Sequence, residues 1–90
     1  MNYRRSSVEK VEIQYDPKRS EGYCFARIYL KELFGNETMG QLELTLSSLG
    51  KSKATRKVRR HLNLHRIHVP ENLKKLVIPY QKTKEENPKV

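Results

Sequence analysis

The spacing of the apolar residues changes once along this chain, at Gly50, and that change limits what the chain can fold into. Before it, apolar side chains recur at every second position, the pattern of a half-buried strand. Val11, Ile13 and Tyr15 share one face of the stretch Val8–Tyr15. Tyr23–Leu30 is the strongest strand. Cys24, Ala26, Ile28 and Leu30 lie on one side of it, and Tyr23, Phe25, Arg27 and Tyr29 on the other. Gln41–Leu46 alternates again and puts Leu42, Leu44 and Leu46 together. The connections DPKRSEG and FGNETMG are short and built from turn-forming residues, so the three strands are expected to pair as an antiparallel meander.

Beyond Gly50 the spacing becomes helical. Ser52 can cap a helix, and Ala54, Val58, Leu62 and His65 fall in one narrow stripe at about 100° per residue. The predicted helix ends near Asn63, with Pro70 as the outer limit. Pro70 also suits the first turn of a second short helix, which would turn Leu73, Leu76 and Val77 inward and stop at Pro79. A three-stranded sheet needs a cover for its apolar face, and the stripe on the first helix can supply it. The expected fold class is therefore α+β: a three-stranded antiparallel meander covered by one basic amphipathic helix and a short C-terminal helix. Residues 1–7 read as a flexible basic arm, 8–80 as a single domain, and 81–90 as a disordered tail without an apolar pattern.

Composition narrows the function classes. The single cysteine, Cys24, cannot staple a secreted disulfide scaffold. The basic start MNYRRSSVEK has no apolar stretch behind it and does not have the form of a signal peptide. No run approaches the roughly 18 apolar residues of a membrane span. A cytoplasmic or nuclear protein with no membrane partner is expected. The net charge of +9 is concentrated in one segment. Residues 1–50 carry seven basic and seven acidic side chains, whereas 51–75 carry nine basic ones against Glu71 alone.

Those nine are Lys51, Lys53, Arg56, Lys57, Arg59, Arg60, Arg66, Lys74 and Lys75. Such a field repels itself and implies an anionic partner, although a solvated helix face is the plain alternative. Nucleic acid offers a regular line of phosphates that Lys and Arg on successive helical turns can meet. Asn63, Arg59 and Arg60 could read bases, but nothing in the pattern marks them as readers.

The aromatic strand face is the second candidate, because bases stack on aromatic rings and on guanidinium planes. The stretch VEKVEIQYDPKRSEGYCFARIYL resembles the central hairpin of an RNA recognition motif, and Gly22-Tyr23-Cys24-Phe25-Ala26-Arg27-Ile28 is similar to that family's RNP1 strand. The resemblance implies that Tyr23 and Phe25 stack bases, with Arg27 and Tyr29 beside them. It covers about a quarter of the chain. Glu21 stands where Lys or Arg is usual, too little chain precedes the hairpin, and a strand and a basic helix follow it in the wrong order. It is treated as a convergent pattern. The same aromatics could instead pack a second core layer or an interface.

Other constellations are weaker. His61, His65 and His68 would share a face of a continuous helix, but their neighbours are cationic and Glu71 is the only candidate carboxylate ligand, so no metal or other cofactor is expected. Leu49-Gly50-Lys51-Ser52 has the ending of a phosphate-binding loop but lacks its first glycine, which would fall at Thr45. Cys24 alternates into the apolar face as a core thiol. The leading reading is a small non-enzymatic nucleic-acid-binding protein, with RNA or single strands slightly favoured over duplex DNA. The alternative is a small regulatory module docking on an acidic protein partner, with Tyr and Arg as its hot spots. The sequence is silent on oligomeric state.

Overall fold

A computed structural model describes residues 5–19 and 22–82 of the chain. Most of the expected arm (residues 1–4) and most of the expected tail (residues 83–90) lie outside the described residues. The elements run β1 (Ser6–Asp16), β2 (Tyr23–Glu32), β3 (Thr38–Thr45), α1 (Lys51–Leu64), α2 (Leu73–Leu76) and β4 (Val77–Ile78). The fold is α+β, with one main helix against a four-stranded sheet of order β3-β2-β1-β4.

The antiparallel meander is present. Val11 faces Ile28 and Ile13 faces Ala26 across β1 and β2, while Ile28 faces Leu42 and Ala26 faces Leu44 across β2 and β3. The expectation of a purely antiparallel three-stranded sheet needs correction, because β4 adds a fourth strand parallel to β1, pairing Val11 with Val77 and Glu12 with Ile78. The second helix is correspondingly shorter than predicted. It is a single turn, and Val77 leaves it to enter the sheet. Two residues are too few to show a strand period, so Leu73, Leu76 and Val77 read as helical in the sequence. The first strand starts at Ser6, earlier than its alternation, and Ser6 and Ser7 are buried. A bulge between Val8 and Lys10 shifts the register there, which hides the pattern.

The β1–β2 connection is a proline turn. Arg19 donates its N–H to the Asp16 carbonyl at 3.2 Å, and the Asp16 carboxylate accepts the Lys18 N–H at 2.9 Å. Gly22 closes the turn at φ 92°, and a side chain there would also collide with the Tyr15 ring.

Helix α1 lies on the inner face of the sheet. Ala54, Val58 and Leu62 meet Val11, Ile13, Ala26, Ile28 and Leu30 in one core, joined by Ile67, Leu73 and Val77. Thr55 is buried in the stripe, its hydroxyl donating to the Lys51 carbonyl at 2.8 Å, whereas His65 is exposed rather than part of the stripe. Ser52 does not cap the helix. Gly50 holds the cap position without a side-chain bond, and its own N–H donates to the Ser48 hydroxyl at 3.3 Å. At the other end Arg66 adopts φ 57°, the left-handed conformation usually given to glycine. The Ile67 N–H then reaches the Leu62 carbonyl at 2.9 Å and the Arg66 N–H reaches the Asn63 carbonyl at 3.2 Å. This pair of bonds is a Schellman motif, and the buried side chains of Ile67 and Leu62 carry its usual apolar contact.

Candidate nucleic-acid interface

The two surfaces singled out in the sequence lie on opposite sides of the sheet. Helix α1 covers the inner face, and Tyr23, Phe25, Arg27 and Tyr29 project from the outer one.

On the helix, residues at i, i+3, i+4 and i+7 surround a hollow between successive turns. Lys53, Arg56, Lys57 and Arg60 have this spacing, and together with Ser47 they line one shallow depression of about 290 Å³. All four basic side chains are exposed. Lys57 Nζ donates to the Thr45 carbonyl at 3.4 Å, which ties the depression to the end of β3. Ion pairs among the described residues are Lys10–Glu12, Arg19–Glu43 and Arg27–Glu43, none of which involves the helix. Leu64, four residues beyond Arg60, is 74% exposed. The depression does not take in Lys51, Arg59, Arg66, Lys74 or Lys75. Arg59 falls on the flank of α1, about 60° from Arg56 around the helix axis. Arg66 occupies the turn after α1, and Lys74 and Lys75 stand exposed on α2.

The aromatic face is built differently. Tyr23 and Phe25 stack at 5.1 Å with an interplanar angle of 25°. The proline turn carries Arg19 over the pair, its guanidinium 4.3 Å from the Tyr23 ring centre and 5.7 Å from that of Phe25. Arg27 lies 5.5 Å from the Phe25 ring. Glu43 collects both arginines, at 3.7 Å and 3.9 Å, and accepts a hydrogen bond from the Tyr23 hydroxyl at 3.0 Å. Phe25 is only 4% exposed as a result. Phe25 is thus buried within this outer layer, whereas Tyr23 stays half-exposed with its ring under Arg19.

Tyr29 is committed as well. It donates to the Glu12 carboxylate at 3.0 Å and sits under Lys10 Nζ at 4.7 Å. Burial pushes Glu12 up, but the hydrogen bonds from Tyr29, Lys10 and Gln14 and the Lys10 charge outweigh it and leave the carboxyl below its usual value. Sequence reasoning missed Arg19, Glu43 and Ser47. Arg19 stands in a turn and Ser47 in a loop, where no periodicity points to a partner. Glu43 pairs with residues that only strand register brings near.

The histidines do not form a shared face. The helix stops at Leu64, so His68 instead bridges to Ser7 beside β1. The His61 and His65 rings meet edge to face at 4.5 Å. Burial and the neighbouring His65 hold the His61 imidazole below its ordinary pKa. Among the described residues no group of three His, Cys, Asp or Glu is placed to hold a metal. The Cys24 thiol donates to the Ser48 carbonyl at 3.1 Å, and burial pushes its pKa up, away from the reactive thiolate. No helix among the described residues is long and apolar enough to cross a membrane. Comparisons of the chain with protein-family models, with curated proteins and with solved structures find no match.

Proposed function

We propose that this chain binds nucleic acid without catalysing a reaction, resting the outer face of α1 on the phosphate backbone. The observation that carries this reading is the convergence of Lys53, Arg56, Lys57 and Arg60 on one depression, with no carboxylate paired to them among the described residues. Gathering like charges this closely costs stability through self-repulsion, and an anionic partner offsets that cost. Phosphates are the regular, sequence-independent source of such charge. Lys51 and Arg59 add positive charge elsewhere on α1, and Arg66, Lys74 and Lys75 beyond its end, without lining the depression. The burial of Phe25 weakens the reason to favour RNA or single strands, and contact with phosphates serves a duplex as well.

The test is the salt dependence of oligonucleotide binding. Each lost phosphate contact lowers the slope of log K against log salt by roughly 0.7–0.9. The double reversal Arg56→Glu and Arg60→Glu is expected to flatten the slope by at least about 1.4 and to weaken binding at least about tenfold. Circular dichroism should be unchanged, since both side chains are exposed. No binding by the unaltered protein at about 50 mM salt, or equal binding by the double reversal, overturns the reading.

One observation favours a second reading. Leu64 extends the basic stripe with a fully apolar side chain that is 74% exposed, as an anchor for an acidic protein partner would be. Leu64→Ala separates the two readings, because it leaves phosphate contacts intact and removes a hot spot.

A further inference from the structure

We propose that the depression on α1 seats a terminal phosphate monoester, so that the protein prefers the ends of nucleic-acid strands to their interior. The inference rests on the nucleic-acid reading above and concerns how the four central cations are disposed. An internal phosphodiester carries one negative charge, and successive diesters are spread along the strand. A helix adapted to them would distribute its cations along its length. Six Lys and Arg do run along α1, but four of them, Lys53, Arg56, Lys57 and Arg60, border a single hollow of about 290 Å³. Four positive charges round one concave spot match a group of higher charge. A phosphate monoester carries about −1.5 to −2 at neutral pH and offers three strong acceptor oxygens.

Two further features suit that ligand. Ser47 contributes an exposed hydroxyl to the same depression, and no hydrogen bond ties it up among the described residues. It can donate to one phosphate oxygen while the guanidinium groups of Arg56 and Arg60 present paired donors to the others. The site also begins in the first turn of α1, at Lys53, where the backbone dipole adds partial positive charge. On the hairpin side Arg19 and Arg27 instead share the Glu43 carboxylate.

The experiment compares one short DNA sequence in four forms: with a 5′-phosphate, with a 3′-phosphate, with hydroxyl ends, and closed into a circle. The phosphorylated linear forms are expected to bind at least about fivefold more tightly than the circle, the extra charge being the only difference at the site. Hydroxyl ends should match the circle. Inorganic pyrophosphate, at matched ionic strength, should abolish the advantage of phosphorylated ends before it displaces the circle. Ser47→Ala and Lys53→Ala should each lower the ratio of phosphorylated-end to circle affinity. Equal affinity for all four forms overturns this proposal while leaving nucleic-acid binding standing. Failure of every form to bind overturns the underlying reading as well. An end preference that survives both pyrophosphate and the Lys53→Ala exchange overturns the assignment of the seat to this depression.

Discussion

The outer face of the sheet and the outer face of α1 are both rich in charge, yet they have opposite characters. On the sheet, Arg19, Tyr23, Phe25, Arg27 and Glu43 form one closed set in which each cation has a ring or a carboxylate. On the helix, Lys53, Arg56 and Arg60 find no such partner among the described residues. The difference comes from topology. Antiparallel pairing of β2 with β3 sets Arg27 opposite Glu43, and the proline turn delivers Arg19 to the same carboxylate. Helix α1 carries no acidic side chain of its own, and no ion pair among the described residues involves it. Side chains that look like a binding platform in sequence can therefore be largely engaged with one another in the fold.

The comparison breaks most severely if the layer that both faces share is removed. Ile28 is fully buried between them, so Ile28→Ala is expected to cost about 2–5 kcal/mol, whereas Arg27→Ala stays within about 1. Equal losses in a denaturant melt would mean that the register of β2 is other than described.

Phe25 tests whether the aromatic face is structural. Only 4% exposed, it is expected to lose on the order of 3 kcal/mol of stability as Phe25→Ala. Binding to a duplex should keep its salt slope. A variant with full stability and weakened single-strand binding would restore the stacking role.

Glu43 sharpens the contrast. Glu43→Gln removes the shared carboxylate charge from Arg19 and Arg27 at a half-exposed site, so about 1 kcal/mol or less should be lost. The freed cations should also raise nucleic-acid affinity on the sheet side. No change in binding would mean that the sheet cannot be recruited even when its charges are released.

The smallest expected effect is at Arg66, whose left-handed backbone favours glycine. Arg66→Gly should raise stability by about 0.5–1 kcal/mol, or a few degrees in Tm. Because Arg66 lies outside the depression, the preference for phosphorylated ends should persist. Destabilisation would show that the Arg66 side chain contributes more to the helix end than its backbone costs.

Much of this fold was legible because it rests on local period. The alternation through Tyr23–Leu30 predicted its buried face, and the Ala54/Val58/Leu62 stripe predicted which side of α1 meets the sheet. Each signal sits within a few residues and reflects the geometry of one element. The parallel pairing of Val77 with Val11, the bulge that hides Ser6 and Ser7, and the end of α1 at a left-handed arginine were not legible. These depend on partners far away in the sequence or on a single backbone conformation.

The candidate site divides in the same way. By itself the sequence determined that most of the excess positive charge lies on one amphipathic helix, because charge and helical spacing are both properties of consecutive residues. Only the tertiary structure decided that Ser47 joins four of those cations round one depression, and that Glu43 closes the aromatic face. Both outcomes depend on distances set by strand register and loop path, which no one-dimensional pattern encodes.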